Sequence, residues 1–80
     1  MNPLEQLLEF ISSLQANRIQ FNLQSVRDAI MVAGVSPGEY FEIEFFADGH
    51  IEVETYGPAN PVQTVTLQEI TEYVVRDVNG

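Results

Sequence analysis

Tyr40-Phe41-Glu42-Ile43-Glu44-Phe45-Phe46-Ala47-Asp48-Gly49-His50-Ile51-Glu52-Val53-Glu54-Thr55-Tyr56 is the stretch whose reading decides the fold. Apolar and polar residues alternate on both sides of an Asp-Gly turn, the pattern of a β-hairpin buried on one face. A two-residue loop at Asp48-Gly49 sets Phe45 opposite Glu52 and Ile43 opposite Glu54. Directly opposed residues share a sheet face, so that register mixes carboxylates into the apolar side. A three-residue loop, Ala47-Asp48-Gly49 with Gly49 left-handed, shifts the pairing by one. Phe45 then faces Ile51, Ile43 faces Val53 and Phe41 faces Thr55, which leaves one face cleanly apolar. This second register is the expected one.

The opposite face then carries Glu44 against Glu52, Glu42 against Glu54, Tyr40 against Tyr56 and Phe46 against His50. Like charges directly opposed cost up to about 1 kcal/mol per pair. Folding alone does not favour four carboxylates among three aromatics and the one histidine of the chain, so this face is the candidate for function.

Upstream, Pro37-Gly38 suits the central positions of a type II turn. Pairing Ser36 with Glu39 sets Val32 against Ile43, Ile30 against Phe45 and Gly34 against Phe41, which reproduces the same apolar face. Ala29, Met31, Ala33 and Val35 fall on the other face, beside Phe46, Glu44, Glu42 and Tyr40. Further back, residues 18–23 alternate as a first strand with Ile19, Phe21 and Leu23 inward, followed by a loop near 24–27. Asn2, Pro3 and Glu5 form a helix start, and Leu4, Leu7, Leu8, Ile11 and Leu14 recur at helical spacing over 3–16. Phe10 lies off that stripe and is expected at the sheet edge, with Asn17 as a left-handed terminator.

Downstream, 57–61 reads as a loop and 62–65 as a short extended piece. Thr66 and Glu69 make a capping box, Val65 and Ile70 a hydrophobic staple, and Leu67, Ile70, Val74 and Val78 an apolar stripe over 67–77. The expected architecture is a single α+β domain spanning 1–80. It is a two-layer α-β-β-β-β-α chain, a four-stranded antiparallel meander with both helices on one face.

Eighty residues bury only about 60% of the surface of the unfolded chain, and 45% apolar content is ordinary for a globular protein. No cysteine is present, so neither disulfides nor thiol chemistry contribute. The absence of cysteine fits a bacterial or phage cytoplasmic protein, and no basic N-region precedes an apolar run and no run is long enough to span a bilayer. Twelve acids against three arginines give a net charge of −9. Such a field repels nucleic acid and anionic membranes and attracts basic protein surfaces or cations, or it serves solubility.

Enzymatic chemistry finds no support: there is no nucleophile–base pattern, no phosphate loop and no metal-spaced His/Cys set. His50 reads as a strand residue, and glutamates on a flat open face lack the desolvation that acid–base work needs. Glu42, Glu44, Glu52 and Glu54 offer oxygens to a hard cation, but a strand face adds no loop carbonyls. No cofactor and no defined metal site is therefore expected. The expected function is a small acidic, non-enzymatic protein-interaction module, antitoxin-like, immunity-like or an inhibitor of a basic partner. Its partner-binding residues are Met31, Ala33, Val35, Tyr40, Glu42, Glu44, Phe46, Glu52, Glu54 and Tyr56. They hold either a protein partner or a second copy, in which case contact centres on the second strand and leaves the glutamates at the rim. The alternative is a divalent-cation-binding or carrier module, which resembles frataxin in outline although its first helix has only Glu5 and Glu9.

The run 36–54, with Pro37-Gly38-Glu39, an aromatic pair, alternating acids and Asp48-Gly49, resembles one in a family of short bacterial proteins. Val26-Arg27-Asp28 and Ile30-Met31-Val32 extend the likeness to about 4–56, whereas Tyr40-Phe41 stands where those proteins carry Arg-Trp. The resemblance implies a shared fold and no particular activity.

Overall fold

The computed structural model describes residues 2–36, 39–55 and 63–79. Its elements are α1 (Pro3–Ala16), β1 (Phe21–Val26), β2 (Ala29–Ser36), β3 (Glu39–Phe46), β4 (Ile51–Thr55), β5 (Gln63–Val65) and α2 (Leu67–Asn79). The strands form one antiparallel sheet in the order β1-β2-β3-β4-β5. The sheet therefore has five strands rather than the four expected. The extended piece at 63–65 pairs with β4, setting Ile51 opposite Val65. Three residues are too short a run to show periodicity, and only pairing with a neighbour makes them a strand.

The central registers are those the side chains require. Phe45 pairs with Ile51, Ile43 with Val53 and Phe41 with Thr55, and β2 meets β3 from Ala29–Phe46 to Ser36–Glu39. The loop closes with the Gly49 amide donating to the Phe46 carbonyl at 3.0 Å, and Gly49 has φ 97. Only glycine enters that region without strain, so Gly49 permits the odd-length loop that keeps carboxylates off the apolar face. The expected Pro37-Gly38 turn lies outside the described residues, as does the 57–61 loop.

The apolar face supports one core. Phe10 and Leu14 of α1, Ile70 and Val74 of α2, and Val32, Phe41, Ile43, Phe45 and Ile51 of the sheet form a single buried cluster. Here α1 departs from the leucine stripe. Phe10 is fully buried with its ring 5.5 Å from that of Phe45 on the central strand, while Leu4 and Leu8 are 62% and 53% exposed. The helix is rolled so that Leu7, Phe10 and Leu14, at i, i+3 and i+7, point inward. An aromatic ring fills more of the gap above a sheet than a leucine, which decides the roll.

Both helix starts follow their caps. The Asn2 side chain accepts from the Glu5 amide at 2.8 Å, and the Thr66 hydroxyl accepts from the Glu69 amide at 3.1 Å. The Glu69 carboxylate answers by accepting from the Thr66 amide at 2.8 Å, which lowers its pKa. At the end of α1 the left-handed residue is Arg18 (φ 58) and not Asn17 (φ −101). The Ile19 amide donates to the Leu14 carbonyl at 2.9 Å and the Arg18 amide to that of Gln15 at 3.1 Å, a Schellman closure. Its apolar contact joins Ile19 to Leu14 in the core. Ile19 is thus buried as part of the helix end, and β1 begins two residues later than it.

β1 also runs further than expected. Arg27 (φ 55) and Asp28 make a tight turn that pairs Val26 with Ala29, so no loop interrupts 24–26. Leu23, expected inward, is 50% exposed. It does lie on the apolar side, opposite Val32, but at the outer edge of the sheet.

Candidate interaction face

The face away from the core is ordered in rows across the strands. One row runs Gln24, Met31, Glu44, Glu52 and Thr64; the next runs Asn22, Ala33, Glu42 and Glu54. Below the first, Val26 pairs with Ala29 and Ala29 with Phe46; above the second, Val35 pairs with Tyr40. Each row passes from uncharged residues on β1 and β2 to carboxylates on β3 and β4. These two rows are therefore uncharged on β1 and β2 and acidic on β3 and β4, and aromatic residues of β3 flank them at both ends.

Val35 is 61% exposed and Tyr40 39%, while Met31, Glu42, Glu44, Phe46 and Glu52 are half-buried. Ala29 and Ala33 are buried, because their methyl groups sit between longer side chains of the flanking strands. The accessible apolar surface thus centres on Val35, Tyr40 and Met31. Along β3 the Tyr40 hydroxyl donates to Glu42 Oε2 at 3.1 Å. The side chain of Glu54 and all of Tyr56 lie outside the described residues.

At the lower corner His50 organises a cluster that the pairing pattern alone does not reveal. Its ring stacks on Phe46 with centroids 4.1 Å apart and planes 10° from parallel. Nδ1 meets Asp48 Oδ1, and Nε2 meets Glu52 Oε2 at 2.9 Å. His50 and Glu52 are two apart on an extended chain and share a side, while Asp48 reaches back from the turn and accepts from the His50 amide. An Asp two residues before the histidine was the signal. Hydrogen bonding to Asp48, and then to Glu52, raises the His50 pKa above its ordinary 6.5. The His50 backbone amide, donating at 3.0 Å, and then its ring hold Asp48 below its ordinary 3.8. Protonated, His50 donates from both nitrogens and places a positive charge between two carboxylates.

The two shifts define a pH window. The raised His50 pKa contributes stability that is complete below 6.5 and is lost as pH rises through the folded value. The depressed Asp48 pKa contributes stability present above 3.8 and lost as pH falls through the folded value. The pair is therefore tightest between those limits. An NMR titration of the His50 ring protons is expected to give a midpoint above 6.5 that falls towards it in Asp48→Asn. A midpoint at or below 6.5 in the unaltered chain would contradict the arrangement.

Among the described residues no group of three or more His, Cys, Asp or Glu side chains is placed to hold a metal ion. Also among them, no helix is long and apolar enough to cross a membrane.

What the fold defines is a small α+β protein with an antiparallel five-stranded sheet. No protein-family profile, curated protein or solved structure matches the chain.

Proposed function

We propose that the chain is a non-enzymatic interaction module that holds a basic protein partner on the open face of its sheet. The observation that carries this reading is the division of that face. Val35 and Tyr40 offer an exposed apolar contact at one end of the face, and Glu42, Glu44 and Glu52 offer charge in the two rows next to it. Protein interfaces combine an aromatic or aliphatic anchor with complementary charge, the anchor supplying affinity and the charge supplying rate and register. A net charge of −9 steers a basic surface towards the module and discourages acidic competitors. Inhibition of a basic active or binding site, as in antitoxin and immunity proteins, is the class of task this suits.

The test is capture of the partner from the native cell, followed by binding measurements with the purified pair. Glu44→Lys and Glu9→Lys change the net charge equally, one on the open face and one on the exposed side of α1. Glu44→Lys is expected to weaken binding by about tenfold or more and Glu9→Lys by much less. Equal losses would show that bulk charge, and not this face, holds the partner.

A further inference from the structure

We infer that two copies of this chain associate edge to edge through β1, extending the sheet across a two-fold axis at Leu23. β1 is an outer strand, and among the described residues nothing pairs with its far side. Natural edge strands are blunted by charge, proline or bulges, yet Phe21–Val26 contains none of the three. The flank above this edge is also uncovered. A groove of about 270 Å³ runs under the start of α1 at the turn end of the sheet, from Ser25, Arg27 and Asp28 beside this edge to Phe45 and Ala47. Leu8 continues the Leu4 stripe one turn on, and Leu4, Leu8 and Leu23 are all at least half exposed.

The charge distribution identifies the occupant as a second copy. A chain at −9 repels itself wherever acids are presented, and the open face and β4 present them. Residues 10–27 contain no acid and hold Arg18 and Arg27, two of the three arginines. This segment builds the end of α1 and the whole of β1. β1 is therefore the edge by which the chain approaches its own copy without opposing acid to acid. An antiparallel two-fold pairing keeps each face continuous, so Phe21, Leu23 and Ser25 must meet residues of the same row. Centring on Leu23 sets Leu23 against its own copy and Phe21 against Ser25. It also carries Arg18 towards Asp28 at the far end of the second copy's strand. Leu4, which lines the groove with Ser25, then lies near each end of the joint, and the two open faces remain on one side.

Sedimentation equilibrium of the unaltered chain at physiological ionic strength is expected to show a dimer. Leu23→Lys opposes two ammonium groups on the axis and is expected to give a monomer with an unchanged circular dichroism spectrum. Thr64→Lys, on the opposite edge, is expected to remain dimeric. The chain has no cysteine of its own, so Leu23→Cys is expected to cross-link rapidly on mild oxidation, and Thr64→Cys slowly. If Leu23→Lys misfolds, the cross-linking pair decides alone. A monomeric unaltered chain at millimolar concentration, a dimeric Leu23→Lys, or equal cross-linking at both edges would overturn the inference.

Discussion

Phe10→Ala is expected to cost about 3–5 kcal/mol, the ordinary penalty for deleting a fully buried phenylalanine. Phe10 has no exposed surface, and its ring leans on Phe45 at the centre of the sheet. Small domains have total stabilities at the low end of about 5–15 kcal/mol, so the substitution removes most of the margin. Leu8→Ala trims a side chain that is 53% exposed and should change monomer stability by no more than about 0.5 kcal/mol. Urea denaturation at low protein concentration measures both. The opposite order, with Leu8 costly and Phe10 cheap, would mean that α1 presents its leucine stripe to the sheet.

Gly34→Ala carries the second large effect, and its sign is diagnostic. By intrinsic preference alanine is better than glycine in a strand interior by about 0.5–1 kcal/mol. Packing opposes this, because a Cβ at Gly34 stands 2.7 Å from the Gln20 carbonyl oxygen and 2.7 Å from Phe41 Cζ. Neither gives way easily: the first is backbone, and the second belongs to a ring only 1% exposed. Overpacking of this kind costs about 1–3 kcal/mol, which outweighs the propensity gain. A lower melting temperature by circular dichroism is expected, and a greater fall for Gly34→Val. An unchanged or raised melting temperature would show that the chain entering β1 moves aside.

The sheet registers were legible because two independent constraints agreed. The odd loop at Gly49 and the alternation through Pro37-Gly38 each put Val32, Ile43 and Phe45 on one face, and a slip of one residue would have buried glutamates. The roll of α1 was not legible. With Phe10 added, the apolar arc of Leu4, Leu7, Leu8, Ile11 and Leu14 widens to about 160°, and periodicity does not say which margin faces down. The ends of β1 failed for a related reason. Ile19 is apolar because it closes a helix end, and Arg27 turns the chain in a conformation for which glycine or asparagine would have been the recognisable sign. Of the candidate face, the parts of the rows on β2, β3 and β4 and the glutamate pairs were readable from alternation, and the β1 and β5 ends were not. The stacking of His50 on Phe46 follows from the expected pairing, whereas its contacts with Asp48 in the turn and Glu52 on its own strand are ones that cross-strand pairing does not encode.

The nearest-neighbour order of the sheet bears on how the chain reaches this structure. Every strand pairs with the strand before it, so the β1–β2, β2–β3 and β3–β4 hairpins each close a short loop, and little chain entropy is spent before contacts form. Such a topology has few long-range pairings and favours rapid folding. The exception is the core itself. Phe10 and Leu14 must find Ile70 and Val74 across nearly the whole length of the chain. The meander can assemble locally while its apolar face stays wet. Docking of the first and last helices buries that face, so loss of either helix is expected to unfold the sheet with it.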